Sequence, residues 1–225
     1  MLRLILLFFD ISLKKELTLF FGSVINGWPK SVFSFMNLFN FFFHLFLFDA
    51  KIPTDESIPL SISDINHPRW TYAMTKMHGE SAFIHSASRN NYDCVIVRYQ
   101  NIIGPEMGFG HAIPHIVQRF YDREDSPFKI YGHDQTRSFC YIDDAVDGTV
   151  GAMESENSSN EIYHIGNQEE INMEELTTYI GELMDYSGKY KASVTYPGSV
   201  SRRCPNIKKA IEDFLPFSCN FWAAL

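Results

Sequence analysis

Between Pro68 and Asn91 the residues Tyr72, Lys76, Glu80, Phe83 and Ala87 recur at the spacing of one helix face. This predicts a helix from about Arg69 to Arg89, with Asn90-Asn91 as its stop. A β-branched apolar run from Asp93 to Asn101 follows and ends in polar residues and Gly104-Pro105, the pattern of a buried strand that delivers a site at its carboxyl end. After a loop at Gly108-Phe109-Gly110, a second helix is expected from about Pro114 to Arg123. Phe128 to Tyr131 and Ser138 to Ile142 alternate as short strands, and Asp143 or Asp144 is expected to cap a helix carrying Val146 and Val150. Glu161 to Ile165 reads as a strand. Asn172 with Glu175 forms a capping-box start, and Leu176, Ile180, Leu183 and Met184 make one apolar stripe directed at the core. A strand over Ala192 to Tyr196 and a last helix, with Pro205 in its first turn and its end near Phe214, complete the pattern. Helices alternating with strands give an α/β fold.

Residues 1–48 break this pattern. Ser31 to Phe48 is a Phe-dominated run with the length of a marginal membrane span. Asn37, Asn40 and His44 would be costly inside a bilayer, and the run lacks the usual Leu/Ile/Val/Ala mixture. Met1 to Phe9 is apolar, but Asp10 interrupts it and no small-residue cleavage site follows. The first expectation is a rearranged or mis-specified start, the second a membrane anchor through 31–48, the third a secretory signal.

The net charge of -8 argues against a general nucleic-acid binder, because no basic stripe is available for phosphates. Cys94, Cys140, Cys204 and Cys219 show no CxxC spacing and read as reduced thiols of a cytoplasmic protein. His111 and His115 stand four apart with Pro114 between them and no third ligand in step, so they read as structural and no metal site is expected. No Gly-x-Ser-x-Gly elbow or Walker loop offers an anchor for a hydrolase or an NTPase.

Tyr72 and Lys76 form an i,i+4 pair that places a phenol and an amine on one helix face. An ammonium there favours the phenolate and lowers the tyrosine pKa toward that of a general base. Downstream stand Arg98-Tyr99-Gln100-Asn101-Ile102-Ile103-Gly104-Pro105, then Ile130-Tyr131-Gly132 through Gln135-Thr136-Arg137-Ser138-Phe139 to Asp143-Asp144, then Tyr163-His164-Ile165-Gly166-Asn167, then Ser201-Arg202-Arg203-Cys204-Pro205. In this order they resemble the NAD-dependent nucleotide-sugar epimerase/dehydratase family, the extended branch of the short-chain dehydrogenase/reductases, over roughly Asp49 to Phe214.

The resemblance implies a partial Rossmann-type, doubly wound sheet with an interleaved smaller substrate lobe. The strands at Cys94–Val97 and Ile162–Ile165 would belong to the sheet, and Pro105 to about Arg137 with the region after Asn172 to the lobe. It implies Tyr72 as the base on a sugar hydroxyl, and Lys76 as the residue that holds the cofactor ribose and tunes the tyrosine, so both also bind NAD. Asn101, Arg137 and Arg203 would bind the diphosphate of a nucleotide sugar, of which a UDP sugar is the first expectation. Phe83 and Ile84 would offer part of a weak homodimer face, or pack on the sheet instead.

Three departures qualify this. The family's glycine fingerprint for the dinucleotide is absent, since Gly22 and Gly27 are the only glycines before Gly79. No Ser or Thr stands in Phe46 to Lys51, where the family has a catalytic hydroxyl, and Asn206 stands where it usually has aspartate. The chain is therefore expected to comprise a foreign leader (1–48), the second half of such a domain (49–214) and an atypical tail (215–225), with impaired activity. The alternative is a non-catalytic sugar-nucleotide-binding remnant.

Overall fold

The computed structural model describes residues 3–6, 51–62, 65–66, 68–123, 127–195 and 199–214. In chain order the elements are β1 (Arg3–Leu6), α1 (Pro68–Asn90), β2 (Asp93–Tyr99), β3 (Ile102–Ile103), α2 (Ala112–Asp122), β4 (Phe128–Tyr131), β5 (Thr136–Ser138), β6 (Cys140–Tyr141), α3 (Ile142–Glu154), β7 (Ile162–Ile165), β8 (Glu170–Asn172), α4 (Met173–Leu183), β9 (Tyr190–Ser193), β10 (Arg202–Arg203) and α5 (Lys208–Phe214).

β2 is the centre of a parallel sheet ordered β1-β2-β7. Its side chains alternate between two faces, as the period-2 geometry of a strand requires. Val95, Val97 and Tyr99 pack with Tyr163 and Ile165 of β7 against Ala145 and Ala152 of α3 and Ala210 of α5. Cys94 and Ile96 point the other way, against Ala87 and Phe83 of α1. Helices thus cover both faces, the arrangement that forces fully apolar strands. Phe83 is committed to the sheet, while Ile84 stays 43% exposed, so only the latter is left for an outer face.

β1 comes from the leader and pairs with β2 from Arg3 opposite Asp93 to Leu6 opposite Ile96. These four residues, which fall in the stretch read from the sequence as a foreign leader, supply one edge of the sheet. The rest of 1–48, including the apolar run at 31–48, and the tail at 215–225 lie outside the described residues. Among the described residues no helix is long and apolar enough to cross a membrane.

A second apolar cluster builds the smaller lobe from Ile116 and Phe120 of α2, Phe128 of β4, Ile171 of β8 and Leu176 and Ile180 of α4. Phe120 stacks on Phe128 at 3.8 Å between centroids, with Tyr186 and Tyr190 at their edges. The parallel pair β4-β9 and the ladder β10-β5-β8 frame this lobe.

Several boundaries differ from the sequence reading for physical reasons. α2 begins at Ala112, two residues before Pro114, since a proline in the first turn removes an N–H that has no helical partner there. α3 is capped by Tyr141 without a side-chain bond, and Asp143 and Asp144 lie inside its first turn, where they meet the helix dipole. The capping box of Asn172 and Glu175 forms as expected. The core face of α4 is Leu176, Thr177, Ile180 and Gly181, whereas Leu183 and Met184 are 57% and 37% exposed. Gly181 lies against Tyr190 and Phe120, so the close aromatic packing, not the apolar stripe, sets that face. β9 spans Tyr190–Ser193, and Tyr196 lies outside the described residues. Pro205 precedes α5 and forms an isolated bridge with Thr54, so it serves as an anchor for the 51–57 segment instead of a first helical turn.

Candidate active site

At the carboxyl end of β2 the chain turns at Asn101, which adopts φ +46, a left-handed conformation that asparagine tolerates better than most residues. Its backbone oxygen accepts from Cys140 N at 3.2 Å, and its Nδ2 donates to Ser138 O at 2.8 Å. These bonds fix Asn101 between β2 and β5. Its Oδ1 accepts from Arg203 Nη1 at 3.3 Å. Gly166, after β7, lies where a Cβ would come within 2.9 Å of Gln100 Cβ, so the loops that follow β2 and β7 meet closely beside this turn.

Asn101, Arg137 and Arg203 border one cavity of about 420 Å³, on the side facing the smaller lobe. Apolar residues such as Ile103, Ile116 and Phe139 supply much of its wall, and His111, His115 and Arg119 line it from α2 and its cap. Among the described residues no Asp or Glu lines it. Arg137 and Arg203 are register partners across β5 and β10. Like charges directly opposite on neighbouring strands oppose each other, which makes this end of the cavity a place for an anion.

Arg137 is held closely. Nη1 donates to Thr136 O at 2.6 Å and Ser201 O at 3.3 Å, and Nη2 to Gln135 Oε1 at 3.0 Å, Ser199 Oγ at 3.2 Å and Val200 O at 2.6 Å. Among the described residues no group of three His, Cys, Asp or Glu side chains could hold a metal ion.

Tyr72 and Lys76 lie on α1 and do not line this cavity. The helix spacing brings Lys76 Nζ to 5.3 Å from the centre of the Tyr72 ring. Lys76 is 2% exposed, and burial pulls its pKa from 10.5 down to about 6. The amine is then mostly neutral at pH 7. The ammonium that would favour a phenolate forms only once its surroundings become more polar or more negative.

One turn further on, Glu80 fixes the helix to the sheet. Arg98 of β2 donates from Nε to Glu80 Oε1 at 3.0 Å and from Nη2 to Oε2 at 2.7 Å, and both side chains are 5% exposed. Arg98 Nη1 also donates to Glu56 O at 3.4 Å, while Glu56 Oε1 accepts from His164 N at 2.7 Å. Burial, with the Arg98 charge beside it, pushes His164 down to about 4, so its ring is neutral and Nδ1–H donates to Thr54 O at 3.1 Å. The 51–57 segment, α1, β2 and β7 are thereby joined by a single polar network.

A family model described as the NAD dependent epimerase/dehydratase family matches residues 49–166, more than half of the chain. The chain belongs to that family. It is 34% identical over 125 residues to a UDP-N-acetyl-alpha-D-glucosaminuronate decarboxylase from Bacillus cytotoxicus, a match that covers 54% of this chain and 38% of that protein. It is 35% identical over 119 residues to UDP-glucuronic acid decarboxylase 3 from Arabidopsis thaliana, covering 52% of this chain and 34% of that one. The matches thus span little more than a third of these curated relatives. Among solved structures, a UDP-glucuronic acid 4-epimerase from Bacillus cereus in complex with UDP-glucuronic acid and NAD aligns with a TM-score of 0.58 at 26% identity, over 66% of this chain and 47% of that one. An epimerase from Methanothermobacter thermautotrophicus aligns with a TM-score of 0.67 at 23% identity, over 78% of this chain and 52% of that one, which supports the Rossmann-type fold.

Asn101, Arg137 and Arg203, all anticipated from the epimerase/dehydratase motifs, meet at the cavity; Tyr72 and Lys76 share α1 but stand apart from it. Arg119, Gln135 and Ser199 were not anticipated. Arg119 is 6% exposed and places its guanidinium 4.3 Å from the Phe128 ring centre and 4.9 Å from that of Tyr131, a setting created by strand β4 that its own helix does not announce. The segment around Phe46, where the family has its catalytic hydroxyl, lies outside the described residues.

Proposed function

We propose that this chain carries the nucleotide-sugar side of an NAD-dependent epimerase/dehydratase site, and that its cavity takes the diphosphate of a UDP sugar. The observation that supports this most is the pairing of Arg137 with Arg203 on a cavity whose lining, among the described residues, includes no carboxylate, in a chain of net charge -8. An anion between the two guanidinium groups offsets their repulsion and accepts charge-assisted bonds. The UDP-linked substrates in the names of two relatives favour uridine as the nucleoside.

In this reading Tyr72 takes the proton from a sugar hydroxyl, and Lys76 becomes an ammonium when polar or negative ligand groups come beside the buried amine. Tyr72 and Lys76 fit the nicotinamide-ribose end of NAD, because the buried amine beside the phenol gives a donor set for ribose hydroxyls. Among the described residues no glycine-rich turn before α1 fits the pyrophosphate. Bound NAD supplies the hydride acceptor of this chemistry. A cytoplasmic setting belongs to the same reading and is supported by Cys94, Cys140 and Cys204, all buried thiols.

The second reading is a sugar-nucleotide binder without catalysis. It is favoured by residues 1–48, which contain two glycines and no strand–turn–helix fingerprint around them. Incubation of the chain with NAD and a UDP sugar, followed by NMR of the sugar, separates the two. Turnover that Tyr72→Phe reduces by about 100-fold or more supports the enzyme. Near-normal turnover in Tyr72→Phe overturns the role of the pair, and UDP-sugar binding without NAD binding or turnover supports the second reading.

A further inference from the structure

We infer that the 51–57 segment is a strap that positions the Arg203 end of the cavity from the sheet, and that His164 is the positioning residue that holds it. Its effect on a bound ligand rests on the proposed UDP-sugar reading; the strap itself does not.

Residues 51–57 form no helix or regular strand beyond the bridge of Thr54 to Pro205, so isolated backbone bonds and side chains must hold them. Asp55 bends the segment: its Oδ1 accepts from Ser57 N at 3.0 Å, an Asx turn. Thr54 and Glu56, on either side of Asp55, meet two different parts of the chain. Thr54 lies along the residues that follow Arg203, where its N donates to Cys204 O at 3.0 Å and its O accepts from Asn206 N at 2.7 Å. Glu56 grips the sheet, with its Oε1 accepting from His164 N of β7 and its backbone O from Arg98 Nη1 of β2. The guanidinium that holds Glu80 of α1 thus also holds the strap, which gives the strap and the Tyr72/Lys76 helix one foothold on β2.

His164 joins the two ends. Its backbone N–H meets Glu56 and its ring Nδ1 donates to Thr54 O at 3.1 Å, so one residue of β7 fixes both sides of the Asp55 turn. With Asn206 N and His164 Nδ1 both upon it, Thr54 O has its two lone pairs filled. Arg203, which lines the cavity, is therefore held on one side by the two-residue pairing of β10 with β5 and on the other by Thr54. The second hold depends on His164.

Hydrogen exchange and UDP titrations on the intact chain test this. His164→Leu removes the ring donor, and Glu56→Leu removes the acceptor for His164 N. Each is expected to speed exchange at the Asn206 amide by about fivefold or more, although the bonds of Glu56 itself go to β2 and β7, while the amides of α4 stay unchanged. His164→Asn is expected to restore slow exchange, because asparagine Nδ2 stands the same number of bonds from Cβ as imidazole Nδ1. UDP is expected to bind His164→Leu about fivefold or more weakly than the unaltered chain, yet to bind Arg203→Gln equally with and without His164→Leu, since the effect passes through Arg203. Unchanged exchange at Asn206 in both Leu variants, or exchange in His164→Asn as fast as in His164→Leu, overturns the strap. UDP binding unaltered by His164→Leu, or a loss that persists undiminished beside Arg203→Gln, overturns its positioning role. Should His164→Leu fail to fold, Glu56→Leu, on the half-buried segment, carries both readouts. If the unaltered chain does not bind UDP, the proposed UDP-sugar reading fails, and exchange at Asn206 alone decides the strap.

Discussion

Lys76 shows at the residue scale how burial changes the chemistry that a motif suggests. The i,i+4 spacing with Tyr72 was legible in the sequence, and the contact of 5.3 Å bears it out. The protonation state was not legible, because it depends on how completely α1 is covered, and Lys76 is 2% exposed. With its pKa lowered to about 6, the folded chain lacks a proton that the unfolded chain holds from about pH 6 to 10.5. Stability must therefore rise with pH across that window, at up to about 1.4 kcal/mol per unit. Lys76→Met removes this slope and raises stability at pH 7 relative to the unaltered chain. Urea unfolding at pH 6.5, 7.5 and 8.5 measures it, and an identical pH slope in both proteins would mean that the amine is charged and solvated when folded. Asn101 was also singled out from the sequence, but its φ of +46 and its bond to Ser138 O arise from the meeting of β2 with β5.

Elements follow the same division. α1, β2, β4, β7 and the capping box of α4 lie within a residue or two of where periodicity and cap chemistry put them. Where the pattern misled, contacts from distant parts of the chain had taken over: Pro205 is drawn to Thr54, and the exposed end of α4 leaves Leu183 outside the core. The bond between α1 and β2 is of this kind as well. Glu80 fell on the helical face recognised in the sequence, but nothing local indicated that Arg98 would meet it bidentately in the interior. Removing one member of such a pair leaves the other charged and buried. Glu80→Gln is expected to lower stability by about 3–5 kcal/mol, whereas Glu80→Gln combined with Arg98→Met recovers a large part of that loss. Denaturant unfolding of the single and double variants measures both, and a loss below about 1 kcal/mol in the single variant would show that the pair does not hold α1 to the sheet.

Over the whole molecule, the ordered motifs identified the epimerase/dehydratase family and a partial Rossmann-type fold, and the alternation of β2 between α1 on one face and α3 and α5 on the other realises it. Less legible was how the smaller lobe closes on the sheet. Its cavity depends on Arg119 from α2, Gln135 after β4 and Ser199 near β10, residues with no shared motif that only the folded chain brings together. The strand contributed by Arg3–Leu6 was equally hidden, since four apolar and basic residues in an irregular leader carry no period of their own. The central claim is that this cavity holds the diphosphate of a UDP sugar against Arg137, Arg203 and Asn101. Calorimetric titration of UDP-glucuronic acid into the intact chain, repeated with Arg203→Gln, tests it most directly. The account predicts saturable binding that Arg203→Gln weakens by about tenfold or more; binding of equal strength in both proteins, or none in the unaltered chain, would contradict it.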